Sequence, residues 1–225
     1  ALGTAEQRRA SVTHLGRTGQ WDYTAAVQYS ERGDQPLPKD ANLQYNQPLS
    51  DRRVNTDRQL LSGFGRASYR FEGGGQMGVS LLHVDAEQEV APEGNASPSQ
   101  TRYWRYPLWQ KTTLIASGKV PLDTRTSLRG AAWGSRFAQD IADYRSIAYD
   151  TLNQVQQGRD RTGGVRLIGT QDLSVGMLSL ALNGLTSRHE KSRAGDDSTT
   201  IFQQHVSSAG LEYEAQVHSR LRISA

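Results

Sequence analysis

The richest run of chemically capable side chains is RYWRYPLW at 102 to 109. It sets Arg102 and Arg105 among Tyr103, Trp104, Tyr106 and Trp109, and a second cationic pair, Arg52 and Arg53, lies upstream. Guanidinium groups interleaved with aromatic faces can hold an anionic aromatic ligand by bidentate hydrogen bonding and cation–π contact. The competing reading is a loop cluster or an aromatic girdle at a membrane interface. Other chemistry is thinly signalled. His14, His83, His189, His205 and His218 are scattered without HxxxH or HExxH spacing, so no metal site is expected. Asp140, Asp143, His189 and Ser192 could make a rim catalytic group, but no spacing selects them. Asp196 and Asp197 offer at most a weak calcium contact. The chain is expected to be no enzyme and to need no cofactor.

Elements must position these residues, and the alternation of side chains says which. In WDYTAAVQYS (21 to 30) Trp21, Tyr23, Ala25, Val27 and Tyr29 oppose Asp22, Thr24, Gln28 and Ser30. That is the period of a strand with unlike faces. Five hairpins follow: 8–16 with 21–31, 60–71 with 76–90, 109–120 with 125–137, 161–171 with 176–188, and 202–217 with 220–225. Longer polar connections at 32–57, 91–108, 138–160 and 189–201 are expected between them. Short turns alternating with long loops are the connection pattern of an antiparallel transmembrane barrel, because every second connection emerges on the same side.

The faces sharpen that expectation. Arg66, Arg70, Lys111, Arg166, Glu212 and Glu214 lie mid-strand opposite small and aliphatic residues. An arginine facing the lipid midplane costs about 2–4 kcal/mol, so the charged face should line a lumen and the apolar face should meet lipid. Trp21 and Phe71 beside short turns and Tyr29 toward a loop fit interfacial aromatics. Phe64 and Ile168 break the pattern, and Leu128 and Trp133 on opposite parities leave the facing of 125–137 open. Val27→Arg or Leu167→Arg should abolish membrane assembly, and Ser68→Arg should be tolerated.

Composition agrees with a chain of this kind. With 26 Lys and Arg against 23 Asp and Glu, the net charge of +3 is too small and too dispersed for a nucleic-acid surface. A mean hydropathy of −0.66 is low for a large continuous core. There is no cysteine, so disulfides and thiolate metal sites are excluded. No apolar run is long enough for a membrane-spanning helix, and the first residues lack signal-peptide character.

The stretch RYWRYPLWQKTTLIASGKVPLDTRTSLRGAAWGSRF (102 to 137) resembles the barrel of TonB-dependent outer-membrane receptors, in a subgroup with a YWRWPxWDK loop. Tyr106 and Gln110 stand where that loop has tryptophan and aspartate. RRASVTHLGRTGQWDYTAAVQYSERGD and DRTGGVRLIGTQDL are similar to other strands of the same barrels. The resemblance implies that 1–225 is a partial barrel of about ten antiparallel strands in five hairpins, with long extracellular loops, short periplasmic turns and no plug domain. It further implies a Gram-negative outer-membrane location and uptake of a scarce ligand such as a ferric siderophore. The expected partners are the remaining strands and plug of the receptor, TonB-ExbB-ExbD acting through the plug, and outer-membrane lipid with lipopolysaccharide. On that reading Arg52, Arg53, Arg102, Tyr103, Trp104, Arg105, Tyr106 and Trp109 contact ligand from the outer loops, and the lumen charges could bind the plug. A small outer-membrane barrel enzyme and a soluble β-sandwich binding module are the alternatives.

Overall fold

A computed structural model describes residues 6–48, 50–218 and 221–224. Ten strands form one antiparallel sheet: β1 (Arg8–Thr18), β2 (Trp21–Arg32), β5 (Arg58–Arg70), β6 (Gln76–Glu89), β7 (Tyr103–Pro121), β8 (Thr126–Tyr144), β9 (Leu152–Asp172), β10 (Met177–Arg193), β11 (Thr199–His218) and β12 (Leu221–Ser224). Each pairs with its neighbours in chain order. A two-stranded ribbon, β3 (Gln35–Pro36) with β4 (Arg52–Arg53), interrupts the first long connection. The strands of the five expected hairpins pair as expected, and the turns that close the first four are short; residues 219, 220 and 225 of the fifth lie outside the described residues. At the first, Gly19 adopts φ 56°, which a side chain would resist.

Two expectations need correction. The sheet is open: among the described residues β1 pairs only with β2, and β12 covers only residues 214–218 of β11. The connections at 138–160 and 189–201 are mostly strand, because β8, β9, β10 and β11 run on to leave only 145–151 and 194–198 between them. Polar residues are frequent there, which reads as loop in the sequence, but the backbone pairing continues regardless. β7 also begins at Tyr103, within the expected loop 91–108, and it accommodates Pro107 at a register shift against both β6 and β8. Proline lacks the ladder donor, and a bulge is where a strand tolerates that loss.

Register decides how the faces are composed. Next to the short turns, one face carries Trp21, Tyr69, Met77, Gly118, Gly130, Leu167, Leu182 and Ala209 in a single row across eight strands. The rows around it are equally apolar, and they pair Tyr23 with Ala67, Val79 with Ala116, and Leu180 with Leu211. These side chains are exposed: Trp21 50%, Val27 56%, Leu167 47%. In β2 the apolar positions are the open ones and the polar positions between them are half-buried, the reverse of a soluble sheet over a core. The same face of β8 carries Leu128, Gly130 and Ala132, which settles its orientation and sends Trp133 to the other side. There Trp133 lies over Gly164, where a Cβ would overlap the indole. Phe64 likewise pairs with Leu82 on the polar face.

Aromatic rings close the apolar band at its turn end. Trp21 meets Tyr69 edge-on at 5.0 Å, and Tyr69 meets Phe71 at 5.0 Å. Between β6 and β9 the band dips into a depression of about 770 Å³ lined by Ala116, Gly118, Gly130 and Ala132 among others. Ser68 is only 4% exposed, packed against Gly78. The expected tolerance of arginine there is therefore corrected: the site faces the polar side but has no room.

Candidate functional site

At the end of the sheet away from the hairpin turns, the loops 33–57, 90–102 and 145–151 fold into a lobe. It contains most of the buried residues: Asn55, Thr56, Ala86, Pro92, Tyr103, Ala142 and Tyr149. Alanine, proline and tyrosine side chains make up a small apolar cluster there, and buried amides join the loops around it. Asn55, 2% exposed, donates through Nδ2 to the carbonyls of Val90 (2.7 Å) and Trp104 (2.9 Å) and accepts from Arg105 Nε (2.8 Å). Asn46 donates to the carbonyls of Glu93 and Ala96, both at 2.8 Å, and accepts the Tyr103 hydroxyl at 2.6 Å. Both asparagines sit at positive φ, 54° and 59°, a region where Asn is tolerated better than most residues. Tyr149, at φ 52°, stacks edge-on with Tyr103 and Tyr144 at 6.1 and 5.4 Å.

The eight expected ligand residues divide within this lobe. Arg53, Tyr103 and Arg105 bind it together. Arg53 donates to the Asn46 carbonyl (3.1 Å), to Gln47 Oε1 (2.8 Å) and to the Pro92 carbonyl. Burial lowers the pKa of its guanidinium. Arg105 pairs with Glu89 at 2.9 Å and lies over the Tyr149 ring at 4.5 Å. Arg52, on β4, reaches the Asp34 carbonyl (3.0 Å) and Glu6 (2.9 Å). Trp109 leaves the lobe and packs edge-on against Phe137 at 5.1 Å, while Tyr106 pairs with Gln88 across the bulge.

Arg102 remains at the surface. Its guanidinium rests 4.9 Å from the Trp104 ring and is held by Glu93 at 2.6 Å, with 63% of its side chain exposed. The Arg102 backbone N–H, followed by its side chain, holds the Glu93 carboxyl below the usual carboxylate range. Arg102 is the most exposed member of the set, with its guanidinium shared between the Trp104 ring and Glu93.

Sequence reasoning missed an acidic group at this end of the sheet. Asp34, Asp57 and Glu89 each offer a carboxylate oxygen within 4.8 Å of the others. Burial, then the Asp34 charge, raises the pKa of Asp57. Burial also raises that of Glu89, with Arg105 opposing. Asp34 Oδ1 accepts from the Thr56 backbone N–H and hydroxyl at 2.9 and 3.0 Å. Arg32 and Arg105 offset the negative charge of Asp57, so the group acts as an ion-pair network. No spacing announces it, because its members come from three segments.

The residues weighed as a rim catalytic group are divided between faces. Asp140 and Ser192 share one row through Gln157, whereas His189 lies on the opposite face against Asp160. Asp140 is engaged by Arg159 at 2.7 Å, and Asp143 accepts from Asn153 at 2.9 Å. Asp196 caps its own turn by accepting from the Ser198 N–H at 2.9 Å.

No protein-family profile matches the chain, and no curated protein matches it.

Proposed function

We propose that this chain is part of the wall and outer rim of a TonB-dependent outer-membrane receptor, taking up a scarce ligand such as a ferric siderophore. The observation that carries the reading is the one-sided apolar band, which crosses eight neighbouring strands next to their short turns and is exposed on an unlayered sheet. Its alternating positions run for roughly eight residues per strand, about 26 Å of chain at 3.3 Å per residue. That approaches the apolar height of outer-membrane barrels. Beyond the band the same face turns polar at His83, Thr112, Arg136 and Arg161, so the strands extend past the bilayer into water. A soluble sandwich would need a second sheet over the band, and the described residues supply none.

The open edges of β1 and β11 then require further strands, since unpaired backbone is not tolerated in lipid. A plug domain would lie against the polar face and couple the barrel to TonB. The outer lobe would meet the ligand through Arg102 and Trp104, backed by Tyr106 and Arg52. The reading assigns the chain no catalytic step.

Single-tryptophan variants reconstituted with lipids brominated in their acyl chains test the bilayer reading. Trp21 emission should be quenched and Trp133 emission spared; equal quenching of both would remove the assigned faces. For the ligand, a ferric catecholate titrated against the Arg102→Ala and Trp104→Ala variants should bind roughly threefold to thirtyfold more weakly. Unchanged affinity would move recognition elsewhere.

A further inference from the structure

On the polar face, where β1, β2 and β5 run away from the hairpin turns, a pocket of about 260 Å³ is lined by Arg9, Arg32 and Arg58 with Gln28 and Ser30. Register sets Arg32 directly opposite Arg58, and Arg9 one row nearer the turns beside Ser30. Like charges directly opposite on neighbouring strands are destabilising. Among the described residues none of the three arginines forms a salt bridge, and the strand acids Glu31 and Glu87 are on the opposite face. Asp57 offsets Arg32 alone, from the loop side. Neutral groups hold two of the guanidinium groups in place: Arg9 donates to Gln28 Oε1 at 3.1 Å, and Arg32 donates to the Thr56 carbonyl at 3.1 Å. With its amide turned to satisfy its neighbours, Gln35 also accepts from the terminal nitrogens of Arg32 at 3.0 and 3.1 Å. These contacts fix positions and leave the charges of Arg9 and Arg58 standing.

We propose that Arg9, Arg32 and Arg58 form a binding site for a small doubly charged phosphoryl group, either free phosphate or the phosphoryl of a small ester. Guanidinium forks on neighbouring strands, about 4.8 Å apart, match the spacing at which several oxygens of one anion accept hydrogen bonds. A dianion balances the two charges that the chain leaves standing and removes the repulsion that the register imposes. Size sets the class: the pocket is smaller than the roughly 300–1,000 Å³ of sites for drug-sized ligands. No aromatic ring lines it, which separates it chemically from the Arg102 and Trp104 surface. The assignment goes beyond the receptor reading and does not depend on it, because the pocket is on the face opposite the apolar band.

Calorimetric titration of the full chain in detergent, at fixed ionic strength, tests the site with inorganic phosphate, glycerol 1-phosphate and acetate. Inorganic phosphate should bind the parent, and the Arg32→Gln/Arg58→Gln variant should bind it at least about tenfold more weakly, a charge-assisted contact being worth a factor of roughly ten or more. The Lys119→Gln/Arg129→Gln variant, which removes another directly opposed cationic pair from the turn end of the same face, should bind as the parent does. Arg58→Lys keeps the charge without the fork and should fall between parent and double variant, which separates lost recognition from lost folding. No binding of either phosphate compound to the parent overturns the proposal, as does an equal loss in both double variants. Acetate binding as tightly as phosphate overturns the phosphoryl class. Tighter binding of inorganic phosphate upholds the free anion as ligand, and tighter binding of glycerol 1-phosphate upholds the ester.

Discussion

The two ends of the same strands solve opposite problems. Near the short turns, the sheet keeps its ladder bonds and exposes its aliphatic side chains, and nothing among the described residues covers them. At the far end the chain buries a small mixed cluster: Ala86, Pro92, Ala142 and Tyr149 together with Asn55, Thr56 and Tyr103, whose hydroxyl is joined to Asn46. The first arrangement is stable only where the surroundings are apolar. The second is stable in water, because its amides and guanidinium groups satisfy one another. The contrast teaches that burial by itself is a poor guide to which region is structurally constrained in such a chain. The exposed band is held by its ladder bonds alone, and the lobe by side-chain hydrogen bonds.

Substitutions can break the contrast from either end. Placing charge in the band should have the largest effect: Val27→Arg or Leu167→Arg should stop bilayer incorporation, at a cost of about 2–4 kcal/mol for each exposed midplane arginine. Ser208→Arg, on the polar face of β11, should incorporate normally, as read by co-flotation with vesicles. Asn55→Ala should melt the lobe alone. It strands two carbonyls and the Arg105 donor, at about 1–3 kcal/mol for each buried group left unpaired. Limited proteolysis should then cut within 33–57 or 90–102 while the strands stay protected, and uniform digestion would show that the lobe is not a separate unit.

Smaller effects sharpen the comparison. Gly164→Val should displace the Trp133 indole and cost about 1–3 kcal/mol, seen as a shift in Trp133 emission with bilayer incorporation retained. Acidification should act oppositely on two parts. The Arg125 backbone N–H, then the Thr126 hydroxyl, hold Asp123 below its ordinary pKa, so its turn loses stability as pH falls through and below 3.8. Asp57 and Glu89 have raised values, so their contribution favours the folded lobe at low pH and weakens as pH rises past their ordinary range. Amide exchange, corrected for intrinsic rates, should therefore lose protection at Arg125 and Thr126 on acidification but not at Glu89. Least of all, Arg102→Gln removes a mostly exposed ion pair and should shift stability by less than about 1 kcal/mol.

Much of this was legible without coordinates. The five hairpins and the membership of each face in β2, β5 and β9 follow from alternation, because a strand's side-chain period is purely local. The ends of β8, β9 and β10 were not legible, since frequent polar residues look the same in a loop and in a strand standing in water. The ligand set was legible as a composition, RYWRYPLW, but not as a division of labour. Nothing in the spacing says that Arg105 meets Asn55 and Glu89 while Arg102 stays at the surface. Trp133 was ambiguous for a similar reason: only its partner, Gly164 on another strand, explains how a large ring fits a polar face.

The sequence by itself determined that this is a chain of strands with unlike faces, where its tight turns fall, and which side chains travel together. Those properties depend on neighbours one or two residues apart. Only the tertiary structure decided that the sheet stays open, that the outward face turns from aliphatic to arginine along its height, and that three loops share one set of buried amides. These depend on backbone pairing and contacts between residues tens of positions apart, which no local pattern encodes.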